Sequence, residues 1–178
     1  MNQSSRRSRL RRSAAGIGAS GIAAFLALVP AGPAQAFEQG TSSLSLGVGS
    51  GQQFKKDYTI LSARAGYYFV REFEGSVGVQ FWRGPSPSIM RISPELRYVY
   101  TRMFRVKPYA AVFLSRSIYG SGVPDRNTYG VKGGAYWSLN PKAHLAVGGV
   151  YERIENCDPN MFGSCSDAYP EVSMHFTF

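Results

Sequence analysis

The chain has two cysteines and two histidines in 178 residues. Two cysteines cannot by themselves build a tetrahedral zinc site, and no histidine lies near Cys157 or Cys165 to complete one. Beyond the N-terminal region no stretch approaches the roughly 20 apolar residues that a membrane helix needs. That argues against a helical membrane protein but not against a membrane barrel, whose strands average to near-neutral hydropathy. No segment holds a helical period, and no repeat appears beyond a hairpin rhythm. The glycine-rich run Gly130 to Gly134 has no helix after it, so it reads as strand and not as a phosphate loop. Acidic residues are outnumbered 11 to 20, for a formal charge of +9.

That excess loses its meaning once it is located. Arg6, Arg7, Arg9, Arg11 and Arg12 fall in the first dozen residues. An apolar run of small residues from Ala14 to Val29 follows, then Pro30, Gly32, Pro33 and the small-x-small triplet Ala34-Gln35-Ala36. A positive start, an apolar middle and a small-residue site predict a secretory signal over 1–36, cleaved after Ala36. Its removal takes away five arginines and no acidic residue, which leaves about +4 on the 37–178 domain. A nucleic-acid partner thereby loses its main support. Export also places Cys157 and Cys165 in an oxidising compartment, where a disulfide closing a small loop is the first reading.

What is present is alternation. Pro170 to Phe178 puts Val172, Met174, Phe176 and Phe178 on one side of a strand and Glu171, Ser173, His175 and Thr177 on the other. Similar two-faced segments occur at Thr41–Gly49, Tyr58–Val70, Phe73–Trp82, Met90–Thr101, Pro108–Ser117, Thr128–Leu139 and Ala143–Arg153. The 108–117 strand has two candidate outer faces, Ala110, Val112 and Leu114 or Tyr109, Ala111 and Phe113. Pro94 inside the fourth segment predicts a bulge or a weakened pairing. Gly51–Asp57, Gly84–Pro87, Tyr119–Arg126 and Asn156–Tyr169 are the predicted loops after the odd-numbered strands, and Arg71-Glu72, Arg102–Lys107 and Asn140-Pro141 the predicted turns after the even-numbered ones. An even count of eight predicts an all-β, eight-stranded antiparallel up-and-down transmembrane barrel, with Thr41–Gly49 closing on the last strand. The connections after the odd-numbered strands are generally the longer and richer in Gly, Pro or Cys, as outer loops should be.

Charges within the polar faces argue that these faces turn inward: Arg64, Glu74, Arg91, Glu95, Arg97, Lys132, Glu152 and Glu171. An eight-stranded barrel is just wide enough to be filled by side chains. Four buried basic groups then need four acidic partners, because an unpaired buried charge costs several kcal/mol. Tyr67, Phe69, Phe73, Tyr98, Tyr100, Trp137, Phe176 and Phe178 cluster near predicted strand ends, as interfacial girdles do.

On these residues, residues 41–178 resemble the small outer-membrane β-barrels of Gram-negative bacteria, of the OmpA-transmembrane-domain and OmpX type. The resemblance rests on the Ala34-Gln35-Ala36 signal, the eight alternating segments, and Val172, Met174, Phe176 and Phe178. It implies an outer-membrane location among lipid and lipopolysaccharide, and a last strand whose Phe176 and Phe178 are read by the barrel-assembly machinery. The expected state is a monomer without cofactor or metal.

His144 and His175 are the candidates for a lipid-modifying chemistry, with Ser173 and Glu171 on the face of His175. The blander reading is polar filling of the lumen. The 154–169 loop, braced by the cysteines and carrying Met161 and Phe162, is a candidate site for an extracellular ligand. The function expected is structural or surface-interactive, without catalysis. A narrow channel for ions or small solutes is the alternative, and a lipid-modifying enzyme is a more distant one.

Overall fold

The computed structural model describes residues 36–103, 105–120, 124–157 and 164–178. Eight strands lie among them: β1 Ser42–Gln53, β2 Lys56–Val70, β3 Phe73–Arg83, β4 Ile89–Val99, β5 Val106–Tyr119, β6 Arg126–Asn140, β7 Ala143–Ile154 and β8 Ser166–Thr177. Each pairs antiparallel with the next, and β8 closes on β1 through Ser43↔Thr177 to Gly49↔Glu171. The strands alternate because one side of each carries Gly, Ser and charge and the other carries Leu, Val and aromatics. Closure gives every edge a partner, which removes the aggregation hazard of an exposed Phe-Thr-Phe terminus.

The pairing has a stagger. Following register partners from Ser43 through Gly66, Ser76, Glu95, Phe113, Gly130 and Glu152 leads to Asp167. Ser43 itself pairs with Thr177, ten residues further along β8. The strands are therefore tilted, and a row drawn across them climbs by about one and a quarter residues per strand.

Several expected boundaries are corrected. The predicted loop Gly51–Asp57 is mostly strand: β1 and β2 meet in a two-residue turn, Phe54-Lys55. Both turn residues have positive φ, 53° and 58°, the geometry that matches strand twist in a tight hairpin. The sequence reading missed it because neither residue is Asn or Gly. Val106 and Lys107, expected in a turn, begin β5, and Ser166 to Tyr169, expected in a loop, begin β8. The connection bearing the disulfide is correspondingly shorter, 155–165. Loop asymmetry is weaker than expected, since the first outer connection is minimal. Pro94 causes no bulge. It pairs with Val77, while the β4–β5 ladder skips from Ile92↔Arg116 to Glu95↔Phe113 in unchanged register.

A non-glycine residue at positive φ is strained. Lys55→Gly should therefore raise stability by about 0.5–1 kcal/mol, and Lys55→Val should lower it. Urea midpoints of the three folded proteins in the same detergent check this.

The facing of β5 is settled. Tyr109, Ala111 and Phe113 are buried in the barrel, and Val112 and Leu114 are exposed on its outside. The outside is apolar on every strand, with Leu46, Leu61, Val77, Leu96, Val131, Val147 and Val172 all at least 40% exposed. This apolar-out arrangement is the reverse of a water-soluble barrel.

Candidate functional site

The lumen concentrates buried chemistry-bearing side chains. All eight charged residues singled out from the polar faces are buried there. The strand period of two puts them inside, and neighbouring Gly and Ser make room for them. At Gly66 an added Cβ would run into the Glu74 carboxylate and the Ser43 hydroxyl.

Six of the eight form one network. Glu95 is its hub: one oxygen accepts from Arg97 at 2.5 and 3.0 Å, and the other faces Lys132 at 3.0 Å and Arg64 at 3.3 Å. Glu171 meets Lys132 at 3.2 Å and Arg64 at 3.5 Å. Glu74 lies 4.0 Å from Arg97 and accepts from Ser43. Arg97 also donates to Tyr136 and stacks over the Tyr109 ring at 4.7 Å. The remaining two make a separate pair nearer the loop-bearing end. One Arg91 nitrogen donates to both oxygens of Glu152, at 2.6 and 2.7 Å, beneath the Trp82 ring. Four positive and four negative groups thus neutralise one another within the lumen.

Apolar layers bound this polar middle. At the loop-bearing end Tyr58, Ile60, Trp82, Tyr119, Ile154 and Tyr169 belong to one buried cluster. At the opposite end Phe37, Tyr68, Val99, Tyr109, Tyr136 and Ala146 form another. Phe37 was not among the residues singled out in the sequence. Its ring centroid lies 4.7 Å from His144, 5.4 Å from Tyr136 and 5.8 Å from both Tyr68 and His175. Its carbonyl accepts from the backbone of Glu72, which holds the 36–40 segment across the barrel mouth. Glu72 fastens this rim further. Its carboxylate accepts from the Thr101 hydroxyl at 2.5 Å, the Thr101 amide at 3.2 Å and Tyr98 at 3.2 Å. The Thr101 hydrogen bond is the main reason its carboxyl is held below the ordinary range.

His144 and His175 are direct cross-strand partners, with ring centroids 6.2 Å apart. Ser45, not Ser173, is the serine on His175, at 2.8 Å, and Ser138 lies 3.1 Å from His144. Both rings are at most 1% exposed and sit against Phe37, so a lipid substrate has no approach to them in this conformation.

Cys157 and Cys165 form a disulfide, with Cα atoms 5.6 Å apart. Met161 and Phe162, the apolar residues of that loop, lie outside the described residues, as does most of the predicted signal. Phe176 is half-buried and Phe178 exposed, both on the outward side of the last strand.

No family model and no curated protein matches the sequence. Solved structures do. Neisserial surface protein A superposes with a TM-score of 0.59 at 17% identity, over 78% of this chain and 96% of that one. The N-terminal β-barrel domain of Pseudomonas aeruginosa OprF gives 0.58 at 10% identity, over 79% and 98%. The outer membrane protein OprG of the same organism gives 0.51 at 10% identity, over 79% and 97%. These likenesses establish the fold: a closed eight-stranded barrel of the outer-membrane type.

Proposed function

We propose that this chain is an integral outer-membrane barrel with a structural or surface-interaction role, carried by the outer loops above a filled lumen. The observation that carries the reading is the layered interior. Neutralised charges occupy the middle, and aromatic rings close both ends. A conducting path needs a continuous wet lumen, and mutually paired charges between apolar layers offer none. The outward apolar band supports a lipid environment. Phe37, Phe178 and the two-residue turns at 71–72 and 141–142 lie at one end, which supports assigning that end to the periplasm. The connection at 155–165, stapled by its disulfide, then faces outward as the candidate site for a ligand.

In this reading residues 1–36 are a signal, Phe37 is the first residue of the mature chain, and Phe176 and Phe178 serve assembly. Mass measurement of protein from membranes should place the N-terminus at Phe37.

Planar-bilayer recording tests the central point. The purified protein should show no steady conductance, and Phe37→Ala should show none either, because the paired charges and the aromatic cluster at the loop-bearing end remain. Steady conductance of the unaltered protein, abolished by changing Arg97 or Glu95, would establish the channel instead.

A further inference from the structure

The outward face of the barrel carries charge in one place. On the strands, outward positions among the described residues hold only four charged side chains: Asp57, Arg83, Arg116 and Arg153. The three arginines follow Phe81, Leu114 and Tyr151 by two residues, on β3, β5 and β7. Phe81, Leu114 and Tyr151 are 47%, 64% and 52% exposed and belong to the outer apolar band. Corrected for the stagger of the barrel, Arg83, Arg116 and Arg153 come within about two residues of one height. They make a row at the loop-bearing margin of the apolar band, with the exposed Ile118 one outward position beyond Arg116. The matching level at the opposite end carries Tyr67, Phe69, Phe73, Tyr98 and Trp137 and no charge on outward strand positions.

We infer that Arg83, Arg116 and Arg153 bind the phosphate groups of an anionic lipid headgroup in the outer leaflet. This rests on the membrane orientation proposed above. An arginine facing lipid is tolerated near the interface, at a cost of about 0–1 kcal/mol, and disfavoured at the midplane. Tolerance alone does not predict three of them at one level and none at the other. Guanidinium groups match phosphate geometry with paired donors, and their stems lie along apolar surface while the heads reach the polar boundary.

The neighbourhood is prepared for such a headgroup. Arg116 is 68% exposed at its side chain and is oriented by Asp125 at 3.2 Å. Asn127 is its register partner, and Tyr129 is that of Arg153, so the two arginines flank a strand of hydrogen-bonding side chains. A polar recess of about 190 Å³ opens beside Arg116, lined also by Asp125, Arg126, Asn127, Glu155 and Asn156. Its carboxylates balance its cations. The free positive charge of the surface therefore rests on Arg83 and Arg153, which have no hydrogen-bond or ion-pair partner among the described residues.

The test uses the mature chain inserted in phosphatidylcholine nanodiscs doped with diphosphorylated lipid A, with retained lipid counted by native mass spectrometry. The unaltered barrel should retain lipid A over phosphatidylcholine. The triple change Arg83→Gln, Arg116→Gln, Arg153→Gln should reduce that retention at least about tenfold. Replacing the same three by lysine should restore part of it. Equal charge removal at the other rim, by Arg71→Gln, Arg102→Gln and Lys142→Gln, should leave retention unchanged, and added inorganic phosphate should not displace the lipid. Heat-modifiable gel mobility is read on every variant. Retention by the inserted glutamine variant equal to that of the parent overturns the inference, as does an equal loss from the opposite rim. A parent chain that never inserts overturns the membrane reading, and the inference with it.

Discussion

Glu95→Ala is expected to destabilise the folded barrel by about 3–5 kcal/mol, the cost of leaving buried charge uncompensated. Glu95 is the one carboxylate that contacts three cations, Arg64, Arg97 and Lys132, all at 3.3 Å or less. Without it, Lys132 and Arg64 retain only Glu171, and Arg97 retains Glu74 at 4.0 Å. The lumen then holds one more positive than negative charge in its central layer, where low polarisability strengthens repulsion as much as attraction. Glu171→Ala should cost less, because its two cations keep Glu95. Equilibrium urea unfolding in bilayers, followed by tryptophan fluorescence and gel mobility, ranks the two variants. A Glu95→Ala loss below about 1 kcal/mol, the size of a surface ion pair, would refute the hub.

The Arg91–Glu152 pair should behave differently, because it stands apart from the network. Glu152→Ala strands Arg91, which is 1% exposed, and should also cost about 3–5 kcal/mol. Replacing both partners by apolar residues, Arg91→Met with Glu152→Leu, should recover most of that loss. The surroundings are already apolar: Trp82 stacks on the guanidinium at 4.1 Å, and Tyr169 donates to the carboxylate at 3.3 Å. A double-mutant cycle measures the coupling, which should amount to several kcal/mol. If the double variant is as unstable as Glu152→Ala alone, the pair has a further partner. The same swap is not available at Glu95, since no single apolar replacement neutralises Arg64, Arg97 and Lys132 together.

Much of this was legible in the chain. Alternation with period two separates Arg64 from Ala65 and Glu95 from Leu96 on any extended strand, because successive side chains point to opposite faces. An even number of such segments, no membrane helix and an aromatic last strand lead to a closed barrel. Boundaries were less legible. Phe54-Lys55 turns tightly without the usual turn residues, and Ser166 to Tyr169 extend a strand through polar sequence that reads as loop. The facing of β5 was open because Ala, Val, Phe and Leu occupy both of its sides; closure decided it by turning Tyr109 and Phe113 into the lumen.

By itself, then, the sequence determined which residues share a face of each strand, since that depends only on parity, and the charges on the polar faces told which face turns inward on the strands that carry them. Tertiary structure alone decided who meets whom. The ten-residue stagger brings Arg64 of β2 and Lys132 of β6 to Glu95 of β4, and levels Arg83, Arg116 and Arg153. It also seats Phe37 in the inner mouth. Stagger is a property of the closed sheet as a whole, fixed by summing all eight registers, and no single strand encodes it.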